Sequence, residues 1–277
     1  MKNASVLLLL LSALSTQSAM ADAPFPPHRI ADNLYYVGSR DISSYLVTSS
    51  DGHAIINSGF EETVSLIKAS VKSLGFKMTD VKYILASHAH SDHVEGHALL
   101  QEITGAKVLV MTGDNEVIQS GGKGQYLYTT SRWRPCKVDR VLKDGEKLKV
   151  GDITLVARQT AGHTRGCTTW TCQVKDGKDK FDVVIVGSPN VNPGYQLVDN
   201  SDYPNIAKDY AQGFKLLKKL PCDLFLGAHG KYYGMHEKFA NRKQHKENPF
   251  LDSKGYIAYI TERESAYRKK LAEQQGN

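Results

Sequence analysis

The chain has 277 residues, 41% of them hydrophobic, with four cysteines and a formal charge of +6. That is enough apolar material for one large core or two small ones, and beyond the N-terminus no stretch is long and apolar enough to span a bilayer. Lys and Arg are dispersed among acidic residues, so the pI near 8.9 reflects a mixed solvated surface and argues against a nucleic-acid partner.

The first residues have the layout of an export signal. Lys2 supplies charge, Val6 to Leu14 form a short apolar stretch, and Ala19-Met20-Ala21 is a small-x-small cleavage site. The expected processed chain, 22–277, is exported to a bacterial periplasm or secreted. It carries no Ser/Gly/Pro linker, low-complexity tract or charge block, which favours a single domain.

Leu34 to Gly38, Ser44 to Val47 and His53 to Asn57 read as short strands, with Ser50-Asp51-Gly52 a hairpin signal. Val64, Ile67, Val71 and Leu74 recur at helical spacing and predict a helix over 61–74, stopped at Gly75. The apolar run from Val81 to Ser87 predicts a strand, and it ends abruptly in His88-Ala89-His90-Ser91-Asp92-His93. Three imidazoles and a carboxylate so close together make a metal site. His88 and His90, two apart on extended backbone, share a side and reach one ion; Asp92 and His93 are left for a second.

A helix over 95–104 and a strand over 107–111 complete a βαβ pattern. The loop from Gly121 to Pro135 interleaves Tyr126, Tyr128 and Trp133 with glycine and polar residues. Strands are expected over 138–142, 148–150, 153–159, 168–174 and 182–186, then a helix over 205–220, a strand over 224–226 and a helix over 254–273. His163, in Gly162-His163-Thr164, and His229, in Gly227-Ala228-His229-Gly230, follow strands in turn-like settings and complete the two ion sites. His28, His53, His97, His236 and His245 lack such context and read as structural or surface residues. Two successions of strands and helices predict a four-layer α/β sandwich, two sheets face to face with helices outside and the metal loops along one edge.

Cysteine pairing stays open. Cys167 and Cys172 share one predicted strand, which separates their Cα atoms by roughly 16 Å, whereas a disulfide needs less than about 7 Å. Nothing in the sequence brings Cys136 and Cys222 together.

The loop His-x-His-x-Asp-His, the later Gly-His-Thr and the late Gly-x-His resemble the metallo-β-lactamase superfamily over nearly the whole processed chain. The resemblance implies the αβ/βα sandwich and two zinc ions, the first on His88, His90 and His163, the second on Asp92, His93 and His229. Thioester hydrolases, lactonases and nucleases share the loop, so membership leaves the substrate open. Two positions discriminate. Most of those hydrolases place a metal-bridging aspartate after the strand that here ends Val186-Gly187, where this chain has Ser188. The largest zinc β-lactamase subclass has a cysteine there and an arginine after the loop aspartate, where this chain has His93. Serine with a retained histidine is similar to class B, subclass three, as are Leu34-Tyr35-Tyr36-Val37-Gly38, Ile56-Asn57-Ser58-Gly59-Phe60 and Asn192-Pro193-Gly194-Tyr195. One departure concerns Cys222: its partner in that subclass sits in the C-terminal helix, and 254–259 holds no cysteine here.

The resemblance implies hydrolysis of the β-lactam amide of penicillins, cephalosporins and carbapenems by a hydroxide bridging the zinc ions. Asp92 orients it, and the second zinc meets the leaving nitrogen. The substrate carboxylate needs donors, for which Ser188, Asn190 and Asn192 are candidates, although Ser188-Pro189-Asn190 reads equally as a plain turn. Tyr126, Tyr128 and Trp133 are candidates to cover apolar antibiotic side chains, with a buried aromatic cluster the competing reading for Trp133. The chain is expected to act as a monomer on a small molecule. The alternatives are a lactonase or thioester hydrolase on the same scaffold, and a non-catalytic periplasmic zinc-binding protein.

Overall fold

A computed structural model describes residues 22–244 and 247–276; the expected export signal and His245 lie outside them. The first sheet runs in chain order, β1 (His28–Ala31), β2 (Leu34–Tyr36), β3 (Tyr45–Val47), β4 (His53–Ile56), β5 (Val81–Leu85), β6 (Lys107–Met111) and β7 (Arg140–Leu142). Strands β1 to β4 meander antiparallel, while β4 to β7 are parallel. Parallel neighbours need crossovers. These are α1 (Val64–Ser73), the pair α2 (Ser91–Val94) and α3 (His97–Thr104), and α4 (Asn115–Gln119).

The second sheet is built from β8 (Lys147–Val150), β9 (Ile153–Gln159), β10 (Thr168–Asp176), β11 (Asp179–Val186) and β12 (Leu224–Gly227), in the order β12-β11-β10-β9-β8. Only β11 and β12 are parallel there, joined through α5 (Ile206–Leu217). The chain closes with α6 (Met235–Asn241) and α7 (Ser253–Gln275). No helix among the described residues is long and apolar enough to cross a membrane.

Strict alternation explains how the layers stack. Tyr45, Ile56, Leu85 and Leu109 of the first sheet share one buried cluster with Leu155, Ala157 and Trp170 of the second. Their chain neighbours Leu46, Ile55, Ile84, Val108 and Val110 face the other way and pack with Val64, Ile67 and Val71 of α1 and Leu100 of α3. Strands covered on both faces read as continuous apolar runs, which is why β5 and β6 were legible.

The differences from expectation have local causes. The helix expected over 95–104 is α3 and begins at His97, after Gly96, where a Cβ would meet the Val64 side chain at 2.5 Å and the Ser58 and Phe60 carbonyls at 3.0 and 3.1 Å; the short α2 lies upstream of it, inside the histidine loop. β10 and β11 outrun their apolar patterns because Lys175 and Asp176 pair with Lys180 and Asp179 through backbone alone. β1, α4 and α6 are too short to announce themselves by periodicity.

Candidate metal centre

The histidine loop is fixed from both sheets. Asn57 takes the left-handed conformation, φ 65°, that Asn tolerates better than most residues. From there its Oδ1 accepts the Ser87 N–H at 2.7 Å, while its Nδ2 donates to the Ser43 carbonyl at 3.2 Å. Across the core, Thr168 N donates to Ser87 O at 2.7 Å and Trp170 Nε1 to Ala86 O at 3.0 Å. The residues preceding His88 are therefore clamped by β4 and β10 together. Asp114, buried after β6, accepts from Ala89 N at 2.8 Å, Thr164 Oγ1 at 2.7 Å and Gly166 N at 2.8 Å. One carboxylate thus ties the His88–His90 loop to the turn that carries His163.

The candidate ligands converge in two sets. Donor atoms of His88, His90 and His163 all lie within 4.8 Å of one another, as do those of His88, Asp92 and His93. His229 closes a tighter triangle: Asp92 Oδ2 is 3.2 Å from His93 Nε2 and 3.4 Å from His229 Nε2, and the two ring nitrogens are 3.2 Å apart. Ligands 2.0–2.1 Å from a tetrahedral zinc lie about 3.3 Å from each other. The second set therefore has the spacing that zinc requires.

Protonation points the same way. Burial, reinforced by the neighbouring imidazoles, holds His88 well below its ordinary value. His163 is likewise held well below, and burial lowers His90 to about 4. Burial also lowers His93. Asp92 is pulled well below the usual carboxylate range although burial opposes this, because His93 and His229 outweigh it. Burial opposes the charged form of His229 too, but Asp41 and Asp92 lift it to about 9. Four neutral imidazoles and an ionised carboxylate are what a metal ion binds, whereas His229 is held as a cation by the two carboxylates and would give up its proton to an ion.

Outer partners orient the rings. His163 Nδ1 donates to Asn190 O at 2.8 Å and His88 Nδ1 lies 3.1 Å from Ser87 Oγ. His229 Nδ1 lies 3.1 Å from Asp41 Oδ2. His93 Nδ1, by contrast, is buried with no hydrogen-bond partner.

A cavity of 380 Å³ opens over both sets, bordered also by Phe60, Gln125, Tyr128, Asn190, Asn192 and Tyr232, a volume suited to a small ligand. A larger groove, 520 Å³, runs along the second sheet past Lys147, Arg158 and Gln173 and touches none of the candidate ligands. Of the residues nominated for substrate, Tyr128, Asn190 and Asn192 border the cavity, and Asn192 Nδ2 donates to the Tyr128 hydroxyl at 2.8 Å. Three others do not. Ser188 is 1% exposed and sits behind Tyr232, Oγ to hydroxyl 3.2 Å. Tyr126 stands behind His163, donating to its carbonyl at 2.9 Å. Trp133 packs into the helix-side core, next to Gly121 and Gly122. Sequence reasoning missed Gln125, Lys231 and Tyr232 at the cavity, and Asp41 and Asp114 behind it. Only Asp114 carried a signal, an acid in a glycine turn at a strand end.

A model of the metallo-beta-lactamase superfamily matches residues 37–229. The chain belongs to that superfamily. Within it, the chain is similar to the FEZ-1 metallo-beta-lactamase from Legionella gormanii, with 44% identity, TM-score 0.90, and 92% of this chain and 99% of that one covered. It is also similar to the class B3 di-zinc metallo-beta-lactamase LRA-12 from an Alaskan soil metagenome, with 34% identity, TM-score 0.87 and coverage of 91% and 96%. Among curated proteins, a probable metallo-hydrolase of Burkholderia pseudomallei (strain 1710b) is 28% identical over 37% of this chain and 34% of its own length. In that match the chain spans about a third of the relative. The expected sandwich is the metallo-beta-lactamase fold, and all four cysteines are free; Cys172 lies on β10 and Cys167 just before it, unpaired.

Proposed function

We propose that the chain is a zinc-dependent β-lactamase of the B3 type, opening the cyclic amide of penicillins, cephalosporins and carbapenems. Ser188 carries the reading. Where β11 ends beside the metal centre the residue is an alcohol occupied by Tyr232, not an acid. The second set then has one carboxylate, Asp92, and the adjacent wall offers neutral and cationic donors: Asn190, Asn192, Lys231 and Tyr232. A substrate carboxylate calls for donors of that kind, whereas an added acid would repel it.

The donor set fits zinc in ligand type and, at the second set, in spacing. His88, His90 and His163 would hold one ion, and Asp92, His93 and His229 the other. Bound zinc would supply Lewis acidity and a water ionised near neutral pH. Asp92, whose Oδ2 faces both His93 and His229, accepts a hydrogen bond and fixes the direction of attack. Asn190 and Asn192 anchor the substrate, and Tyr128, edge-on to His90 with ring centroids 4.9 Å apart, covers its apolar side chain. We read the protein as a monomer exported to the periplasm with residues 1–21 removed, on the signal-like layout of those residues.

The test compares nitrocefin and a carbapenem with S-lactoylglutathione and an acyl-homoserine lactone, before chelation, after it and with zinc restored. The expected result is β-lactam turnover that chelation abolishes and zinc restores, with little thioester or lactone cleavage. Thioester or lactone hydrolysis without β-lactam hydrolysis overturns the proposal.

A further inference from the structure

Asp41 belongs to neither ligand set. Among the described residues it is nonetheless the one carboxylate outside the sets that is hydrogen-bonded to a ligand imidazole: Oδ2 lies 3.1 Å from His229 Nδ1. The contact is built in rather than incidental. Asp41 Oδ1 accepts from Lys231 N at 3.0 Å, its carbonyl accepts from Gly230 N at 2.7 Å, Ser43 N donates to Ala228 O at 2.9 Å, and Ile42 bridges His229. Residues 41–43 are thus zipped to 228–231, which fixes the carboxylate against the ring. Lys231 Nζ, 3.5 Å from Oδ2, steadies it from outside.

The outer partners of the first set are different in kind. His88 meets a serine hydroxyl and His163 a backbone carbonyl, both neutral. A carboxylate that takes the Nδ1 proton fixes the tautomer, leaves the Nε2 lone pair for an ion and makes the ring a stronger donor. It also adds a negative charge behind that ligand, so the second set faces a dication with two carboxylates in line and the first with none. We propose that Asp41 is a positioning residue that sets the grip on the second zinc selectively, acting through His229. The inference rests on the two-ion reading above.

The test is a zinc titration against a chromophoric competing chelator, with no turnover involved. Parent protein, Asp41→Asn, Asp41→Ala and Asp41→Glu are compared. The expected result is two equivalents for the parent. In the Asn and Ala variants the first equivalent stays within about two-fold and the second weakens about 10- to 100-fold, the usual cost of losing such a partner. Asp41→Glu recovers part of that loss. Melting of the metal-free proteins separates this from general loosening, since Asn keeps an oxygen for Lys231 N. Equal weakening of both equivalents, or no weakening of the second, overturns the role of Asp41. A parent that binds a single equivalent overturns the two-ion reading itself, a pattern distinct from either.

Discussion

Ser188 is the residue on which the choice among hydrolase branches turns, and its surroundings set what its removal does. Its hydroxyl meets Tyr232 and the Asn190 N–H, not the open cavity. Ser188→Ala therefore removes two long neutral hydrogen bonds behind the wall, at 3.2 and 3.5 Å, worth about 1 kcal/mol together. It should lower kcat/KM about five-fold while leaving zinc content unchanged. Ser188→Asp should instead add a ligand beside the second set, raising zinc affinity and depressing β-lactam turnover; full β-lactam activity in that variant would contradict the placement. Asp92→Ala should lose the second zinc equivalent, read by metal analysis, and cripple turnover. At this scale the clustering of the candidate ligands was legible because three of the histidines and the aspartate are neighbours in sequence, at a spacing with little other use. Asp41 was not, since it meets its histidine from 188 positions away and no local pattern records such a contact. Trp133 and Tyr126 misled for a related reason: an aromatic residue in a loop reads the same whether it turns outward or inward.

Between residue and molecule, the elements that matter most are the two loops that carry the first ligand set, and Asp114 is the tie between them. Asp114→Ala leaves the buried Ala89 and Gly166 N–H groups without their acceptor, at about 1–3 kcal/mol for each unsatisfied group. The variant should unfold at least several degrees below the parent and bind its first zinc more weakly, because His90 and His163 lose their common anchor. A melting curve and a zinc titration check both, and an unchanged first equivalent would show that the loops hold themselves. Elements with long apolar runs or helical spacing, such as β5, β9 and α1, were readable to within a few residues. α2 was not, since its four residues lie within the histidine loop, and α3 starts two residues later than expected because of the close approach of Gly96 to Val64, a tertiary event.

For the molecule as a whole, the two-sheet architecture followed from the succession of strands and helices, and the family resemblance came from the loops at one edge. How the N-terminal strand is seated followed from neither. His28 is buried among Phe25, Tyr36, Phe239 and Phe250, with Nδ1 bonded to Pro26 O at 3.0 Å and Nε2 unpartnered. Burial lowers its pKa from 6.5 to about 4. Because the folded value lies below the unfolded one, the neutral ring's contribution is intact above pH 6.5 and is lost as the pH falls toward 4. The full loss is on the order of 3 kcal/mol. Metal-free protein should therefore lose stability between pH 7 and 4.5 in denaturant titrations, with the buried His88, His90, His93 and His163 acting in the same sense, and His28→Phe should make that decline measurably shallower. An equally steep decline in the variant would show that His28 contributes nothing to it.

The four free thiols give the molecule a built-in clock. Burial pushes Cys136, Cys167, Cys172 and Cys222 each up to about 12, so an alkylating reagent at neutral pH meets almost no thiolate while the chain is closed. Labelling then counts openings, and the cysteines sample different layers: Cys222 half-buried before β12, Cys136 under the helices of the first sheet, Cys167 in the turn that leads into β10 and Cys172 on β10 itself. Pulse alkylation read by mass should tag Cys222 through local fraying, Cys167 when the turn before β10 opens, and Cys172 only when β10 comes away from its neighbours. The order of tagging would chart how the sandwich comes apart, with no probe added to the chain.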